Sequence, residues 1–502
     1  MNSLIRRCIL VVLVTLFGIS PLLADESAHA VQAVNPWMIL PFVALLLAIA
    51  IAPFIHRHWW EHNYPYVSIA LGLITVLYYV FGLQNVERLL HTGIEYVSFI
   101  ALIGSLFVVA GGIHIKIKGK SKPLANVFLL AIGAVVSNLV GTTGASMILI
   151  RPYIRVNRYR IKPYHIVFFI FVVSNMGGAL TPIGDPPLFL GYLKGIPFFW
   201  VAEHLWYKWA IGMIAVLGIF YAIDYRSFHA LPASVRHGAE GAEEEGEASG
   251  VQNILFLVVI LIAVFITDPP FLREVLMVVA AVGSYYTTKK DIHTKNDFNF
   301  IPIKEVAILF LGIFATMVPA LDWLEQNATK IGIQTAGQFY WATGTLSSFL
   351  DNAPTYLNFL SAAIGLFVNP EIVNQVHHLV QTHGADVAQV SGPYAVEIKN
   401  TFAMLTKYHY DLVASGNVPI DDINVSYLIG NHNIFIQAIS IAAVFFGACT
   451  YIGNGPNFMV KSIAEQSGVA CPSFLGYIVK YTLPVLLPIF LVVWFFFFHG
   501  VM

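Results

Sequence analysis

Apolar runs long enough to carry a helix across a hydrocarbon core, which takes about 20 residues, recur near 37–55, 65–83, 94–114, 163–183, 204–224, 251–267, 271–287, 303–321, 430–452 and 473–498. Two further runs, 123–150 and 335–366, are interrupted by polar clusters. Basic flanks decide the first of these. "KIKGKSK", with Lys116, Lys118, Lys120 and Lys122, precedes it, and "RPYIRVNRYRIK", with Arg151, Arg155, Arg158, Arg160 and Lys162, follows it. Both flanks favour the cytoplasm, which a single crossing cannot satisfy. The pattern predicts a re-entrant hairpin that enters from the cytoplasm and turns near "GTTG" (141–144). Such backbone persists at membrane depth only where protein or a wet cavity surrounds it. Counting crossings forward, the 335–366 hairpin enters from outside, and 367–428 behind it is an external insertion with few Lys or Arg.

The beginning of the chain, with Arg6 and Arg7 before an apolar core and Ala24 after it, predicts a signal peptide over 1–24. "RHGAEGAEEEGEASG" (236–250) is acidic and glycine-containing, a cytoplasmic linker that separates a first membrane half, 25–235, from a second, 251–502. The halves are related. Placing "GALTPIGDPPLF" (178–189) over "GACTYIGNGPNF" (447–458) gives seven identities in twelve positions, and each copy follows one of the hairpins. Because the hairpins open to opposite sides, the repeats are inverted. The fold class is an all-α polytopic membrane protein with two inverted repeats, each holding a re-entrant hairpin and a broken transmembrane helix. That plan is characteristic of secondary transporters whose site lies near the bilayer midplane.

Composition narrows the partners. The 502 residues are 57% hydrophobic and 11% charged, with a net charge of -1, so the chain belongs in the lipid bilayer and lacks the basic excess a nucleic acid would need. The three cysteines, Cys8, Cys449 and Cys471, make no disulfide framework or zinc cluster. Histidines in "HRHWWEH" and "HHLVQTH" lack zinc spacing. No cofactor and no metal beyond a transported cation is expected. Trp59, Trp60, Trp200, Trp206 and Trp209 suit an interfacial aromatic belt.

Candidate chemistry concentrates in the two tips and two breaks. Ser137, Asn138, Thr142, Thr143, Asn175, Thr181, Ser347, Asn352, Thr355, Thr450, Asn454 and Asn457 offer hydroxyl and amide oxygens, suited to a hard cation such as sodium. Asp185 and Asp351 are acids at membrane depth, a placement that is costly and by default functional. They are assigned proton and cation coupling, because two acids in a dry site titrate as a coupled pair and let protons compete with cations. The bland alternative is that each caps its half-helix, a reading weighed more heavily for Asp185 than for Asp351.

With "SNLVGTTGAS", "TPIGDPP", "SSFLDNAPTY" and "TYIGNGPN" in order, the chain resembles the ion transporter superfamily of dicarboxylate, citrate and arsenite carriers. The acid in the "DN" tip is most similar to the NhaD-type sodium/proton antiporters and their citrate-transporter-like relatives. The resemblance implies a homodimer in which a transport part moves against a scaffold. The superfamily's carboxylate carriers show Ser-Asn-Thr motifs at both tips, whereas the second tip here carries Asp351, which would repel an anion unless protonated or cation-bound. The expected function is therefore exchange of sodium or lithium for protons across a bacterial inner membrane. The alternative is a cation-coupled citrate or dicarboxylate transporter. A remoter one is an intramembrane aspartyl protease, but Pro182 stands where its motif needs glycine, and no HExxH or Gly-x-Ser-x-Gly is present. The chain is not expected to be an enzyme.

Overall fold

A computed structural model describes residues 33–116, 121–232, 247–266, 269–296 and 298–500. The expected signal peptide, most of the linker, and Lys118 and Lys120 lie outside the described residues. Helix dominates, and the one sheet among the described residues is an antiparallel strand pair, His114–Lys116 with Glu247–Ser249. The end of the expected linker is thus a strand held against the segment behind Val86–Gly111, with Ala248 opposite Ile115.

Seven described helices are long and apolar enough to cross a membrane, one of them the Pro123–Val156 segment that turns at Gly141, or nine if each sharply bent pair counts as one span. The sequence predicts ten crossings, and the differences have local causes. The 163–183 window is two pieces: Pro163–Val172, then an irregular stretch, then Pro186–Leu193. Six glycines and prolines between Gly177 and Pro187 supply the turns and remove the N–H groups that would continue a helix. The 430–452 window bends by 102° from the preceding Ile420–Asn431, and 251–267 yields only Asn253–Ala263.

Pro123–Val156 is the first hairpin, longer than expected, and it turns at Gly141, whose φ of 76° and ψ of 155° suit glycine. The second hairpin is Ala336–Phe349 and Asn352–Phe367, which meet at Leu350 and Asp351. Behind it the external insertion is helical, with Pro370–Gln381 and Ala395–Tyr408.

Lipid gives apolar helices little reason to associate, so close packing and polar contacts must hold them. Gly312 of Ile301–Ile331 lies against Ser68, where an added Cβ would come within 2.8 Å of the serine Cβ. Gly344 in the second hairpin admits the Phe446 ring, which stacks on Phe490 with centroids 4.2 Å apart. At one end of Trp200–His229, Asp224 is fully buried. It accepts from both terminal nitrogens of Arg160, from Tyr164 Oη at 2.6 Å and from Asn126 at 3.2 Å, and it lies 3.1 Å from His165 Nε2. Lys194 pairs with Glu95 at 2.7 Å and Asp421 at 3.0 Å, fastening the end of Pro186–Leu193 to Val86–Gly111 and to the bent Ile420–Asn431.

The tryptophans do not form one belt. Trp59 and Trp206 are exposed, but Trp60 and Trp200 are buried, and Trp209 donates from Nε1 to Met176 O at 2.9 Å, just before the first break. The Trp209 ring is only partly exposed, and its polar tip is used inside the protein.

Candidate functional site

Each break is held open by the same hydrogen bonds, made by residues the repeat aligns. Thr181 Oγ1 donates to Asn138 O at 2.7 Å and accepts from Gly184 N at 3.0 Å. Thr450 Oγ1 donates to Ser348 O at 2.6 Å and accepts from Gly453 N at 3.1 Å. In both copies the second glycine passes close to the carbonyl of the first. A Cβ on Gly453 would stand 2.6 Å from Gly447 O, and one on Gly184 would overlap Gly178 O. Glycine is required there because two irregular backbones touch.

Asp185 sits at the meeting point of the four elements and is fully buried. Thr142 Oγ1 of the first tip donates to Oδ1 at 2.8 Å. Asn454, its counterpart in the second break, donates from Nδ2 to the same oxygen at 2.9 Å. Asn352 of the second tip, the counterpart of Thr142, donates to Oδ2 at 2.5 Å. The carboxylate therefore receives one bond from each tip and one from the opposite break. Among the described residues it has no ion-pair partner. Its position just before Pro186 makes it an N-cap by place, yet its side chain makes no capping bond.

Asp351 behaves differently. It is half-buried, and its side chain caps Asn352–Phe367 by accepting from Ala353 N at 3.1 Å. The capping reading therefore applies to Asp351, the reverse of the weighting drawn from sequence. Prolines at the first two helical positions after Asp185 remove two N–H groups, and the Leu188 N–H behind them donates to the Asp185 carbonyl at 3.0 Å rather than to its carboxylate, whereas Ala353 N–H meets the Asp351 carboxylate.

The remaining candidates divide between bracing and lining. Ser137 donates to Val173 O, and Ser347 to Ala443 O. Asn138 donates to Ala134 O and Gly177 O and accepts from Leu180 N. Thr355 donates back to Asp351 O at 3.0 Å. These groups, with Thr181 and Thr450, spend their polar atoms on backbone. Thr143 lies on a cavity of about 30 Å³ between the first tip and Val86–Gly111, with Leu106, Gly141 and Gly184. Asn175 donates to Asn457 Oδ1 at 2.6 Å, and Asn457 donates to Gly447 O and Thr450 O, both at 2.8 Å.

A family model described as "Putative citrate transport" matches residues 31–498. The chain belongs to this family. No curated protein matches it in sequence. A member of a citrate-transport family with broken helices around a buried acid is a multi-pass secondary transporter. In this family member the sequence reading missed Ser174, whose hydroxyl meets that of Ser146 at 2.8 Å and whose carbonyl accepts from Asn454 at 3.3 Å. Its place immediately before Asn175, at the mouth of the break, was the available signal. The Asp224 cluster was also missed, because Asp224 lies far along the chain from Arg160, Tyr164 and His165 and shares no motif with them.

Proposed function

We propose that this transporter exchanges sodium or lithium for protons, with Asp185 as the group the two ions share. The supporting observation is a fully buried carboxylate bonded from both tips and the opposite break, and only by neutral donors. Each bond from a neutral donor to a charged oxygen contributes about 1.5–3 kcal/mol, less than the cost of stripping water from an unpaired charge. Such a carboxylate gains by binding either a proton or a cation, and occupancy by one excludes the other. Alternating access of that site couples the two flows. In this reading the protein works as a homodimer in a bacterial inner membrane.

The family description favours a second reading, cation-coupled citrate transport. A carboxylate substrate needs donors, and helix N-termini are a ready source of them. Here Pro186, Pro187, Pro354 and Pro456 occupy the first turns of the half-helices and carry no N–H. That loss supports the cation as the primary cargo.

The deciding experiment uses purified protein in liposomes with an imposed proton gradient and an internal pH dye. Addition of sodium or lithium alone is expected to dissipate the gradient, and Asp185→Asn to abolish the response. Dissipation that requires citrate or succinate would replace exchange with anion transport.

A further inference from the structure

Two side-chain oxygens of the candidate residues are buried without a donor, Asn175 Oδ1 and Asn352 Oδ1, and both residues are fully buried. Their orientation follows from their neighbours. Asn457 must turn its Nδ2 toward the carbonyls of Gly447 and Thr450, which can only accept. Its Oδ1 then faces Asn175, which must present Nδ2, and Ile170 O accepts from that same Nδ2 at 2.8 Å. Asn175 Oδ1 is left pointing away from both. Asn352 likewise gives its Nδ2 to Asp185 Oδ2, leaving Oδ1. Both amides reach Gly447: a Cβ there would lie 3.0 Å from Asn175 Oδ1, 3.3 Å from Gly453 O and 3.4 Å from Asn352 Nδ2.

An orphaned buried acceptor is costly unless something completes it. What completes it must be a donor or a cation. Resting on the exchange reading above, we infer that the transported cation sits between Asp185, Asn352 Oδ1 and Asn175 Oδ1, with the bare Cα of Gly447 setting the width of the pocket. Oxygen ligands from carboxylate and amide suit a small hard cation. They draw one charged ligand and one amide from the irregular stretch of the first break and one amide from the second tip. Gly447 is glycine for space rather than for conformation, since its φ of -53° and ψ of -25° are open to alanine. A methyl there narrows the pocket from the side that the amides face.

The test compares Gly447→Ala with Gly455→Ala, in the same break but with no atom within 4 Å of its added Cβ, using the pH-dye liposomes and titrating sodium and lithium. Gly447→Ala should raise the half-saturating sodium concentration by about tenfold or more, as a misplaced methyl does in a fitted pocket. It should raise the lithium value less, because lithium is the smaller ion, and Gly455→Ala should match the parent protein. An unchanged sodium-to-lithium preference in Gly447→Ala overturns the pocket while leaving exchange through Asp185 intact. A parent protein that responds to neither ion overturns the exchange reading itself. Should Gly447→Ala not reconstitute, Asn175→Ser, which withdraws the amide oxygen, carries the same criterion. Sodium-dependent thermal stabilisation of the Asn175→Ser protein in detergent is expected to require a higher concentration than in the parent, and equal stabilisation counts against the pocket.

Discussion

At the scale of single residues, the two acids separate by what their neighbours can donate. Asp185 takes side-chain bonds from three elements and caps nothing, while Asp351 satisfies the first turn of the helix behind it. Asp351→Ser retains a capping oxygen, so it should keep both stability and exchange. Asp351→Ala should lose about 0.5–2 kcal/mol of stability, read as a lower melting temperature in detergent. Loss of exchange in the serine variant at unchanged melting temperature would show that the charge itself is needed. The acids stood out in the sequence because carboxylates are rare in apolar runs. Which one caps was not legible, since it turns on whether the next residues are prolines and on where the other half's amides arrive.

At the scale of elements, the repeat predicts more than it names. Thr181 and Thr450 brace equivalent backbone, each bridging a tip carbonyl and a glycine N–H. Thr181→Val and Thr450→Val should therefore cost similar amounts, about 1–3 kcal/mol each for the buried partners left unpaired. Thermal unfolding of the purified variants measures this, and a large inequality would mean that one threonine serves the cargo instead. The alignment showed that these threonines correspond. It did not show that their hydroxyls turn to backbone, because a threonine that braces a break and one that binds an ion look alike in one dimension. The tips also depart from symmetry. Gly141 turns with positive φ, while Asp351 at the matching position is extended, with φ -56° and ψ 136°. Only the first tip thus requires glycine, and the sequence aligned these two residues without revealing two different turns.

At the scale of the whole molecule, charged clusters such as Arg160 with Asp224 and Lys194 with Glu95 and Asp421 fasten the helices, while Asp185 sits among neutral donors. From the flanking lysines and arginines the sequence yields an expected sidedness for the hairpins, whereas the pairing of Arg160 with Asp224 depends on the folded arrangement. Replacing Asp224 by Asn leaves the Arg160 guanidinium buried and uncompensated, and should destabilise by about 3–5 kcal/mol, seen as a loss of folded protein on size exclusion. The Lys194 clasp should behave otherwise. Burial alone would lower the Lys194 ammonium, but the Asp421 and Glu95 carboxylates outweigh it and raise it above the usual lysine value. Its contribution is complete below the unfolded lysine value of about 10.4 and is lost only as pH rises through the folded one. Lys194→Gln should then lower thermal stability by the same amount at pH 6 as at pH 8, to about 0.5 kcal/mol, and a divergence between the two would mean that another group controls the clasp.

The repeat could have placed a carboxylate at both of its equivalent central positions, and it places one, with Asn454 as the other. Under the proposed exchange, Asp185 crosses the membrane neutralised in either direction, by a proton one way and by a monovalent ion the other. No net charge then moves per turn of the cycle, and the membrane voltage does no work on it. Exchange in liposomes clamped with potassium and valinomycin should run at the same rate at 0 and -100 mV, a difference of about 2.3 kcal/mol for each elementary charge that crosses. A rate that climbs with voltage would require a second titrating acid in the cycle, and Asp351 is the residue placed to supply it.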